Sequence, residues 1–399
     1  MQLGTKHIAP GAVLAPMAGV TDLAFRTICA EHGASMTVSE MVSSRALVYQ
    51  DKKSLGLMKR NPGTPFGVQL FGNDPQIMAQ AAQIVLEKAD CDWIDLNMGC
   101  PVPKVAANGD GSGLMRTPEL AFEIVRQVCQ AVPVPVTVKI RLGWDRGSLN
   151  AVEFAQGVEA AGAAMVAVHG RTRAQQYTGH ADWDEIARVK QMVKIPVVAN
   201  GDVTGPEEAL RCLRRTGADL VMIGRAAFGD PWVFEQVAAA LRQEPVPERP
   251  PLAERVDTAV RQIELAVQDK GEHIACLEAR KHFAWYLRGV AHAGFYKEKI
   301  SVLSSMEEMC IRDRGCAVYG TALFSEVQKR SVLKTYQIVQ TEAGVGITVE
   351  KRVLPDGVCT VDDQRFQRDS AVVVEGQAKP RAHIAQRELF PLHAGLLEI

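Results

Sequence analysis

The sequence predicts an α/β fold: a TIM (β/α)8 barrel, then a small all-α helical domain, then a C-terminal tail to which the pattern assigns no fold. Eight short runs rich in β-branched residues alternate with amphipathic stretches between residues 11 and 226, as the eight βα units of a barrel require. The runs are almost continuously apolar, which is typical of parallel strands buried on both faces. The first run is followed by AGVTD, whereas a doubly wound open sheet would carry a G-x-G-x-x-G turn there. The barrel is therefore favoured, and the open sheet stays the alternative.

Strands and helices are predicted to alternate along the chain. The predicted strands are 11–19, 36–42, 66–72, 93–100, 136–143, 165–170, 196–201 and 220–226. The predicted helices between them are 22–33, 75–89, 118–131, 150–162, 182–193 and 206–217. Several of these helices have a proline in the first turn, where its missing N–H costs nothing, or a glycine at the end, where a left-handed residue is preferred. These residues are Pro75, Pro118 and Pro206, and Gly33, Gly162 and Gly217.

A proline-rich connector separates the barrel from a second, helical region. The connector reads PVPERPP and is typical of a semi-rigid linker. We therefore predict a barrel domain over 1–244, a linker over 245–251 and a helical domain over 252–309, with a separate extension over 310–399.

Composition and charge exclude several classes of protein. The chain has 399 residues, 47% of them hydrophobic and 23% charged, and a net charge of −1. This is an ordinary globular balance, and no apolar run approaches the ~20 residues of a membrane span, so we expect no membrane partner. Nine cysteines without a C-x-x-C pair support neither a zinc site nor a disulfide framework, so we expect no metal. Since the N-terminus also lacks the features of a secretory signal, we expect a cytoplasmic protein.

Polar side chains stand at nearly every predicted strand end. Burying a lone polar group costs several kcal/mol, and the active sites of barrels lie at the carboxyl ends of the strands. Together these residues predict one shared polar site, although any one of them could be a satisfied structural residue. The residues are Pro16, Met17, Ala18, Glu40, Gln69, Asn97, Cys100, Lys139, Arg141, His169, Arg171, Arg173, Asn200, Gly201, Asp202, Gly224 and Arg225.

The last two strand ends carry an expected phosphate site. Gly201 and Gly224 leave backbone N–H groups free to face an anion, and Arg225 adds positive charge. Loops after strands seven and eight are the usual phosphate site of this fold. The pattern fits a phosphorylated substrate as well as a phosphorylated cofactor.

Cys100 is the candidate reactive group. It follows a predicted strand and precedes the loop 101–115, which contains Gly109, Gly111 and Gly113. By position alone the thiol could be a nucleophile, an acid or a small buried hydrophobe. The loop could close over the site as a lid, or it could simply be a mobile βα loop.

Seven motifs resemble one family. In chain order they are LAPMAGVTDLAFR, DLNMGCPVPKV, GSGLM, VTVKIRLGW, VHGRTR, VVANGDV and MIGRAAFGDPW. Together they resemble the tRNA-dihydrouridine synthases, most closely the bacterial B branch, over residues 1 to about 300. The segment ARKHFAWYLRG also resembles the RNA-binding domain of that family.

The resemblance implies a flavoprotein that uses FMN, with NADPH as a transient hydride donor, to reduce uridine to 5,6-dihydrouridine in tRNA, at position 17 of the D-loop by branch. It further implies that Cys100 is the acid that protonates C5 of the base. The implied FMN-binding residues are Pro16, Met17, Ala18, Gln69, Lys139, Asn200, Gly201, Asp202, Gly224 and Arg225. The implied substrate-binding residues are Asn97, Arg141, His169, Arg171, Arg173, Arg280 and Lys281.

The composition of residues 280–299 predicts an RNA-binding surface. This stretch carries five basic residues and a single acid, Glu298, interleaved with five aromatic residues. Basic residues in such a stretch suit phosphate contacts, and we expect most of the aromatic residues to be core. A target uridine within folded RNA would have to be flipped out of its stack. We therefore expect tRNA as the macromolecular partner of a monomeric enzyme.

The resemblance fades after FYKEKIS. The string MCIRDRGC at 309–316 resembles translated sequencing-adapter sequence. We interpret 310–399 as a non-family extension of artefactual origin, which would leave the helical domain truncated. A genuine accessory domain is the alternative.

Other functions stay open at this point. A flavin barrel that acts on a free pyrimidine would need neither the linker nor the basic helical region. A flavin-free lyase or isomerase acting on a phosphorylated metabolite would use the same phosphate site. A non-catalytic RNA-binding protein would make no use of Cys100.

Overall fold

A computed structural model describes residues 1–290, 293–302, 304–306, 334–341 and 344–351 of the chain. The chain divides into two compact units, Met1–Leu323 and Phe324–Ile399. All the elements discussed below except one hairpin belong to the first unit.

Eleven strands are described in the first unit. Eight strand positions form a parallel barrel sheet, and a short antiparallel hairpin precedes it. The hairpin strands are β1 (Gln2–Leu3) and β2 (Lys6–His7). The barrel strands are β3 (Ala12–Leu14), β4 (Thr37–Val38) with its continuation β5 (Val42–Ser43), β6 (Phe66–Phe71), β7 (Trp93–Met98), β8 (Val136–Arg141), β9 (Met165–His169), β10 (Val197–Asn200) and β11 (Leu220–Ile223).

The sheet closes on itself. Neighbouring strands run β3-β11-β10-β9-β8-β7-β6-β4. The circle is completed by a single parallel bridge between Val13 and Met36, where the Leu14 N–H donates to the Met36 carbonyl at 3.0 Å. Closure into a barrel shows that the open-sheet alternative is wrong, and all eight predicted strands are confirmed.

Helices cover the outside of the barrel. Pro75, Pro118 and Pro206 each occupy the first turn of a helix, as predicted. Gly33, Gly162 and Gly217 each have positive φ just beyond a helix end. The barrel-unit helices are α1 (Leu23–Glu31), α2 (Ser44–Val48), α3 (Lys52–Leu57), α4 (Pro75–Lys88), α5 (Pro103–Ala106), α6 (Pro118–Ala131), α7 (Ala151–Ala160), α8 (Trp183–Met192), α9 (Pro206–Thr216) and α10 (Val233–Leu241). Two 3₁₀ helices are described: Gly111–Arg116 follows α5, and Arg225–Ala227 follows β11.

The amino end of the barrel is plugged. Leu3, in β1, and Ile8, just after β2, are buried against the first residues of the strands. The indole of Trp93 fills the barrel beside Gly67, where a Cβ would lie 2.2 Å from the ring. A core packed in this way leaves the carboxyl end of the barrel for a site.

Three further helices follow the barrel: α11 (Leu252–Lys270), α12 (Glu272–Tyr286) and α13 (Ala293–Ser301). Residues 244–251, between α10 and α11, carry neither helix nor strand. The predicted domain boundaries at 244, 251 and 309 stay a prediction. Phe283 and Tyr286 are buried, and Trp285 stacks on Phe228 of the barrel unit at 4.1 Å between ring centroids.

The second unit is described only as a hairpin of β12 (Lys334–Thr341) and antiparallel β13 (Gly344–Lys351). The predicted origin of 310–399 otherwise lies outside the described residues. Among the helices that the structure describes, none is long and apolar enough to cross a membrane.

Candidate active site

The parallel register brings the predicted residues together at the carboxyl end of the barrel. Asn97 pairs with Lys139, and Arg141 pairs with His169, which in turn pairs with Asn200. Successive strands therefore contribute side chains at matching heights. The structure thus brings these polar side chains together at one end of the barrel, and their joint role as a site stays a prediction.

A chain of hydrogen bonds runs from inside the barrel to the strand end. The Gln69 amide nitrogen donates to Asp95 at 2.6 Å, and the Asn97 amide nitrogen donates to the Gln69 carbonyl oxygen at 2.8 Å. The Asn97 oxygen accepts the backbone N–H groups of Gly99 and Cys100 at 3.3 and 2.9 Å. The turn that carries Cys100 is thus tied to three side chains below it.

Cys100 is half-buried at the barrel mouth. Burial raises the pKa of its thiol, and the nearby Val102 N–H, Arg141 and Lys139 offset this only in part. The Cys100 carbonyl accepts two hydrogen bonds from Ser112, one from the Ser112 hydroxyl at 2.7 Å and one from the Ser112 N–H at 3.1 Å. The thiol is therefore protonated at neutral pH and fixed by its backbone on both sides.

Lys139 places an ammonium group within the mouth. Its Nζ donates to the Asn200 amide oxygen at 3.2 Å, and the Asn200 nitrogen donates to the Met222 carbonyl at 2.9 Å. Burial and the neighbouring Arg141 lower the pKa of Lys139 to about 8, against the attraction of Asp95. Lys139 is therefore largely charged at neutral pH.

Arg141 is buried and bonded to backbone carbonyls. Its Nε donates to Gly99 at 2.9 Å, and its Nη1 donates to Thr172 and Gln176 at 2.9 and 2.8 Å. Burial lowers the pKa of Arg141 to about 10, so it keeps its charge. The side chain links the turn before Cys100 to the loop after β9.

His169 is a neutral imidazole. Burial and four neighbouring cations hold its pKa well below the ordinary value. Its Nε2 lies 3.4 Å from Nη1 of Arg171. Because an arginine only donates, Nε2 is the acceptor and the ring proton lies on Nδ1.

Arg171 is buried rather than presented to a ligand. It is 2% exposed, and its Nη2 contacts both carboxylate oxygens of Asp202 at 2.7 and 2.9 Å and the Gly179 carbonyl at 2.7 Å. Burial raises the pKa of Asp202, but the Ala181 N–H and Arg171 outweigh it and lower the pKa overall. This ion pair argues against the predicted RNA contact of Arg171 and gives Asp202 a structural partner.

The loop after β3 and the turn after β11 approach each other. A Cβ on Gly224 would lie 3.4 Å from the Met17 sulfur, so the absence of a side chain keeps this space open. Pro16 and Met17 are half-buried and Ala18 is exposed. Gly201 has a φ of +117°, and its carbonyl accepts the indole N–H of Trp183 at 3.0 Å.

Arg225 is exposed beside an aromatic ring. Its guanidinium lies 4.8 Å from the Tyr177 ring centroid, and Arg141 lies 5.7 Å from the same ring. Tyr177 is 53% exposed at the mouth. An exposed cation at the last strand end suits a phosphate group.

The remaining predicted RNA contacts lie in the loop after β9 and on α12. The Arg173 guanidinium stacks on Trp144 at 4.5 Å. Lys281, on α12, donates to the Gly19 carbonyl of the loop after β3. Arg280 is half-buried on the same helix.

The predicted lid is a pair of short helices. Its first half includes exposed Val102, Pro103 and Lys104, whereas Gly111 to Met115 are buried. Only the first half therefore lies on the surface.

Sequence reasoning missed Asp95, Thr137 and Ser112. The Thr137 hydroxyl donates to Asp95, which is 5% exposed. A charged residue within the apolar run WIDLNM was the available signal. Burial raises the pKa of Asp95 to about 6, even though Thr137, Gln69 and Lys139 favour its charged form.

The donors at the mouth suit an anionic group such as a phosphate. The mouth offers the Lys139 ammonium, the open space at Gly224 and the exposed Arg225 guanidinium. Among residues 1–290 and the other described segments, no group of three His, Cys, Asp or Glu residues could hold a metal ion.

A closed barrel with cationic side chains and a thiol at the carboxyl end of its strands has the architecture of the barrel enzymes, whose active sites lie at that end. The family model "Dihydrouridine synthase (Dus)" matches residues 13–321. The chain therefore belongs to the dihydrouridine synthase family.

Curated relatives match over most of their own length. A tRNA-dihydrouridine synthase B from Pseudomonas putida is 40% identical over 348 residues, 87% of this chain and 98% of the relative. Its counterpart from Xanthomonas axonopodis pv. citri is 46% identical over 289 residues, which are 72% of this chain and 87% of the relative. A probable tRNA-dihydrouridine synthase from Rickettsia conorii is 38% identical over 325 residues, 81% and 97%. Among solved structures, histamine dehydrogenase from Rhizobium sp. 4-9 is 15% identical, with a TM-score of 0.49 over 71% of this chain and 50% of that one.

Proposed function

We propose that this protein reduces uridine to 5,6-dihydrouridine in tRNA, with FMN as bound cofactor and NADPH as the source of reducing equivalents. Family membership over residues 13–321 supports the reaction. The relatives named as tRNA-dihydrouridine synthases are covered over 87% to 98% of their length, which favours tRNA over a free pyrimidine. The modified base is position 17 of the D-loop, and the enzyme acts as a cytoplasmic monomer.

The barrel mouth has the residues that such a cofactor needs. Lys139 would meet the electron-rich edge of the flavin ring, between Gln69 and the loop Pro16–Ala18. Asn200, Gly201, Gly224 and Arg225 would hold the ribityl chain and phosphate. When bound, the flavin supplies the hydride that adds to C6 of uracil.

The protein's own contribution is the proton. The observation that carries the proposal is a thiol kept protonated by burial at the mouth of the barrel, within reach of Lys139 and Arg141. Cys100 gives its proton to C5: the S–H bond breaks, a C–H bond forms, and the thiolate regains a proton from water. The charges of Lys139 and Arg141 stabilise the thiolate that this step leaves.

Neutral His169 would bind the base by hydrogen bonds rather than by charge. Asn97, whose amide is already bonded to Gln69 and to the N–H groups of Gly99 and Cys100, would act on the base only through the turn that it holds. Arg173 and Arg280, both half-buried, would contact tRNA phosphates. Phosphate contacts add affinity without sequence preference, so the choice of uridine depends on the shape of the folded RNA.

The test is nucleoside mass spectrometry of tRNA from a strain that lacks dihydrouridine. With FMN and NADPH, we expect uridine to gain two hydrogens, and Cys100→Ala to lower the rate by ~100-fold or more, as the loss of a positioned acid does. Cys91→Ala is the matched control, because Cys91 lies just before β7, at its opposite end. Equal rates for the wild type and Cys100→Ala would contradict the assigned acid, and a protein that takes up no FMN would contradict the proposed reaction.

A further inference from the structure

The hydrogen bonds below Cys100 have only one self-consistent direction. Backbone N–H groups can only donate, so the Asn97 oxygen must face Gly99 and Cys100, at 3.3 and 2.9 Å. The Asn97 nitrogen is then turned to Gln69, which must present its oxygen, at 2.8 Å.

The same reasoning continues one residue deeper. With its oxygen used by Asn97, the Gln69 amide can offer only its nitrogen to Asp95, at 2.6 Å. A carboxylate accepts and does not donate. The other carboxylate oxygen of Asp95 accepts the Thr137 hydroxyl. Asp95 is therefore the terminal acceptor of the chain.

We propose that Asp95 is a positioning residue for Cys100: it fixes the direction of the Gln69 and Asn97 amides, and so holds the two N–H groups that shape the turn carrying the thiol. Its importance for proton transfer rests on the proposed function. Its effect on the turn does not depend on the proposed function, because every hydrogen bond in the series from Asp95 to Cys100 joins two groups of the protein itself.

The direction persists if Asp95 binds a proton. That proton can lie on the oxygen facing Thr137, whose hydroxyl oxygen accepts it. The oxygen facing Gln69 stays an acceptor, so the amides keep their orientation.

The proposal predicts coupling between the side chains of Asp95 and Asn97, which are linked by hydrogen bonds through Gln69. In Asn97→Asp, the new carboxylate can only accept, so the Gln69 amide must rotate to offer its nitrogen to residue 97. The Gln69 oxygen then faces the Asp95 carboxylate, and two acceptors repel each other. In the exchange variant Asp95→Asn/Asn97→Asp, the Asn side chain now at 95 donates to the Gln69 oxygen, and the Gln69 nitrogen donates to the carboxylate at 97. The chain is then consistent again with the same overall charge.

The readout is the turn itself, without FMN, NADPH or RNA. We would measure hydrogen exchange of the peptide containing Gly99 and Cys100, and the rate of Cys100 alkylation by iodoacetamide. We expect Asn97→Asp to speed both about tenfold, the factor that corresponds to roughly one lost hydrogen bond. The double variant Asp95→Asn/Asn97→Asp is expected to return the hydrogen-exchange rate and the alkylation rate to within about threefold of the wild type.

The matched control is Thr137→Val/Asn97→Asp. It removes the other partner of Asp95 without supplying a donor to Gln69, so we expect no restoration. The proposal would be overturned if the effects of Asp95→Asn and Asn97→Asp on these rates were additive. It would also be overturned if Thr137→Val/Asn97→Asp restored the rates equally well. If Asn97→Asp does not fold, circular dichroism of the exchange variant decides: folding supports the proposal and failure to fold contradicts it. None of these results depends on whether the protein acts on tRNA.

Discussion

Cys100 keeps its proton because its surroundings disfavour a thiolate more than nearby cations favour one. Burial raises the pKa of the thiol, and Arg141 and Lys139 offset only part of that rise. A free thiol has a pKa of about 8.5 and reacts as the thiolate. Among the alternatives that the sequence left open for Cys100, the raised pKa favours an acid over a nucleophile.

The pH dependence of Cys100 follows from this environment. We expect the iodoacetamide rate of the flavin-free protein to rise with pH and to inflect above about 8.5, the ordinary thiol value. The form that donates a proton is present below the inflection and is lost above it. Peptide mass spectrometry across a pH series measures the rate. An inflection below neutral pH would show a thiolate and contradict the assigned role.

At the scale of elements, the thiol depends on two segments that converge after β7. The strand end sets the N–H groups of Gly99 and Cys100. The 3₁₀ helix Gly111–Arg116 returns beneath them, and Ser112 binds the Cys100 carbonyl. Gly111 has a φ of +54°, and a Cβ there would lie 3.0 Å from the Cys100 Cβ.

Gly111→Ala tests this support. The new methyl group presses on Cys100, and a left-handed φ disfavours alanine, so we expect a loss of about 1–2 kcal/mol of unfolding free energy and faster Cys100 alkylation. Gly56→Ala is the control, because Gly56 lies within α3 with nothing within 4 Å of the added atom. We expect that change to stabilise the protein by about 0.5–1 kcal/mol. Urea unfolding and peptide mass spectrometry measure both effects. A Gly111 variant as stable as the wild type would show that the helix does not support the turn.

The elements could be predicted from the sequence much better than the orientation of their side chains. Helix α6 has the predicted bounds, Pro118–Ala131, because proline and an amphipathic period mark it independently of the rest of the fold. Arg141 and Arg171 were placed at the correct strand ends, but both side chains turn to partners within the protein. A guanidinium binds a carbonyl, a carboxylate or a phosphate with the same donors. Only the fold decides which of these acceptors is within reach.

At the scale of the whole first unit, α11 is joined to the barrel by ion pairs at the two ends of α1. Asp22 caps α1 by accepting the Phe25 N–H at 2.9 Å, and it also binds Lys270 of α11 at 2.6 Å. Burial raises the pKa of Asp22, but Lys270 and the hydrogen bonds outweigh it and lower the pKa overall. Arg261 forms a more exposed pair with Glu31 at 2.6 Å.

Asp22→Asn separates these roles. Asparagine keeps the helix cap but leaves Lys270 with one carboxylate fewer, so we expect a loss of about 1–2 kcal/mol at pH 7. Because the folded pKa of Asp22 is depressed, this contribution is present above the ordinary carboxyl pKa and is lost as the pH falls through the folded value. The gap between variant and wild type should therefore narrow in acid. Arg261→Gln, at the exposed pair, is expected to change stability by about 0.5 kcal/mol or less. Urea unfolding at several pH values decides, and a gap that does not change with pH would contradict the ion pair.

The single bridge between Val13 and Met36 that closes the barrel has a mechanical consequence. The other neighbouring strands share two to five paired positions, whereas this seam has one. Local opening of a folded protein begins where the fewest backbone hydrogen bonds must break. The seam borders β3, whose following loop contains Pro16 and Met17. A molecule that begins to open there therefore loosens the loop containing Pro16 and Met17 before its packed core. If that loop binds the flavin, as proposed above, loss of yellow colour would be the earliest visible sign of damage.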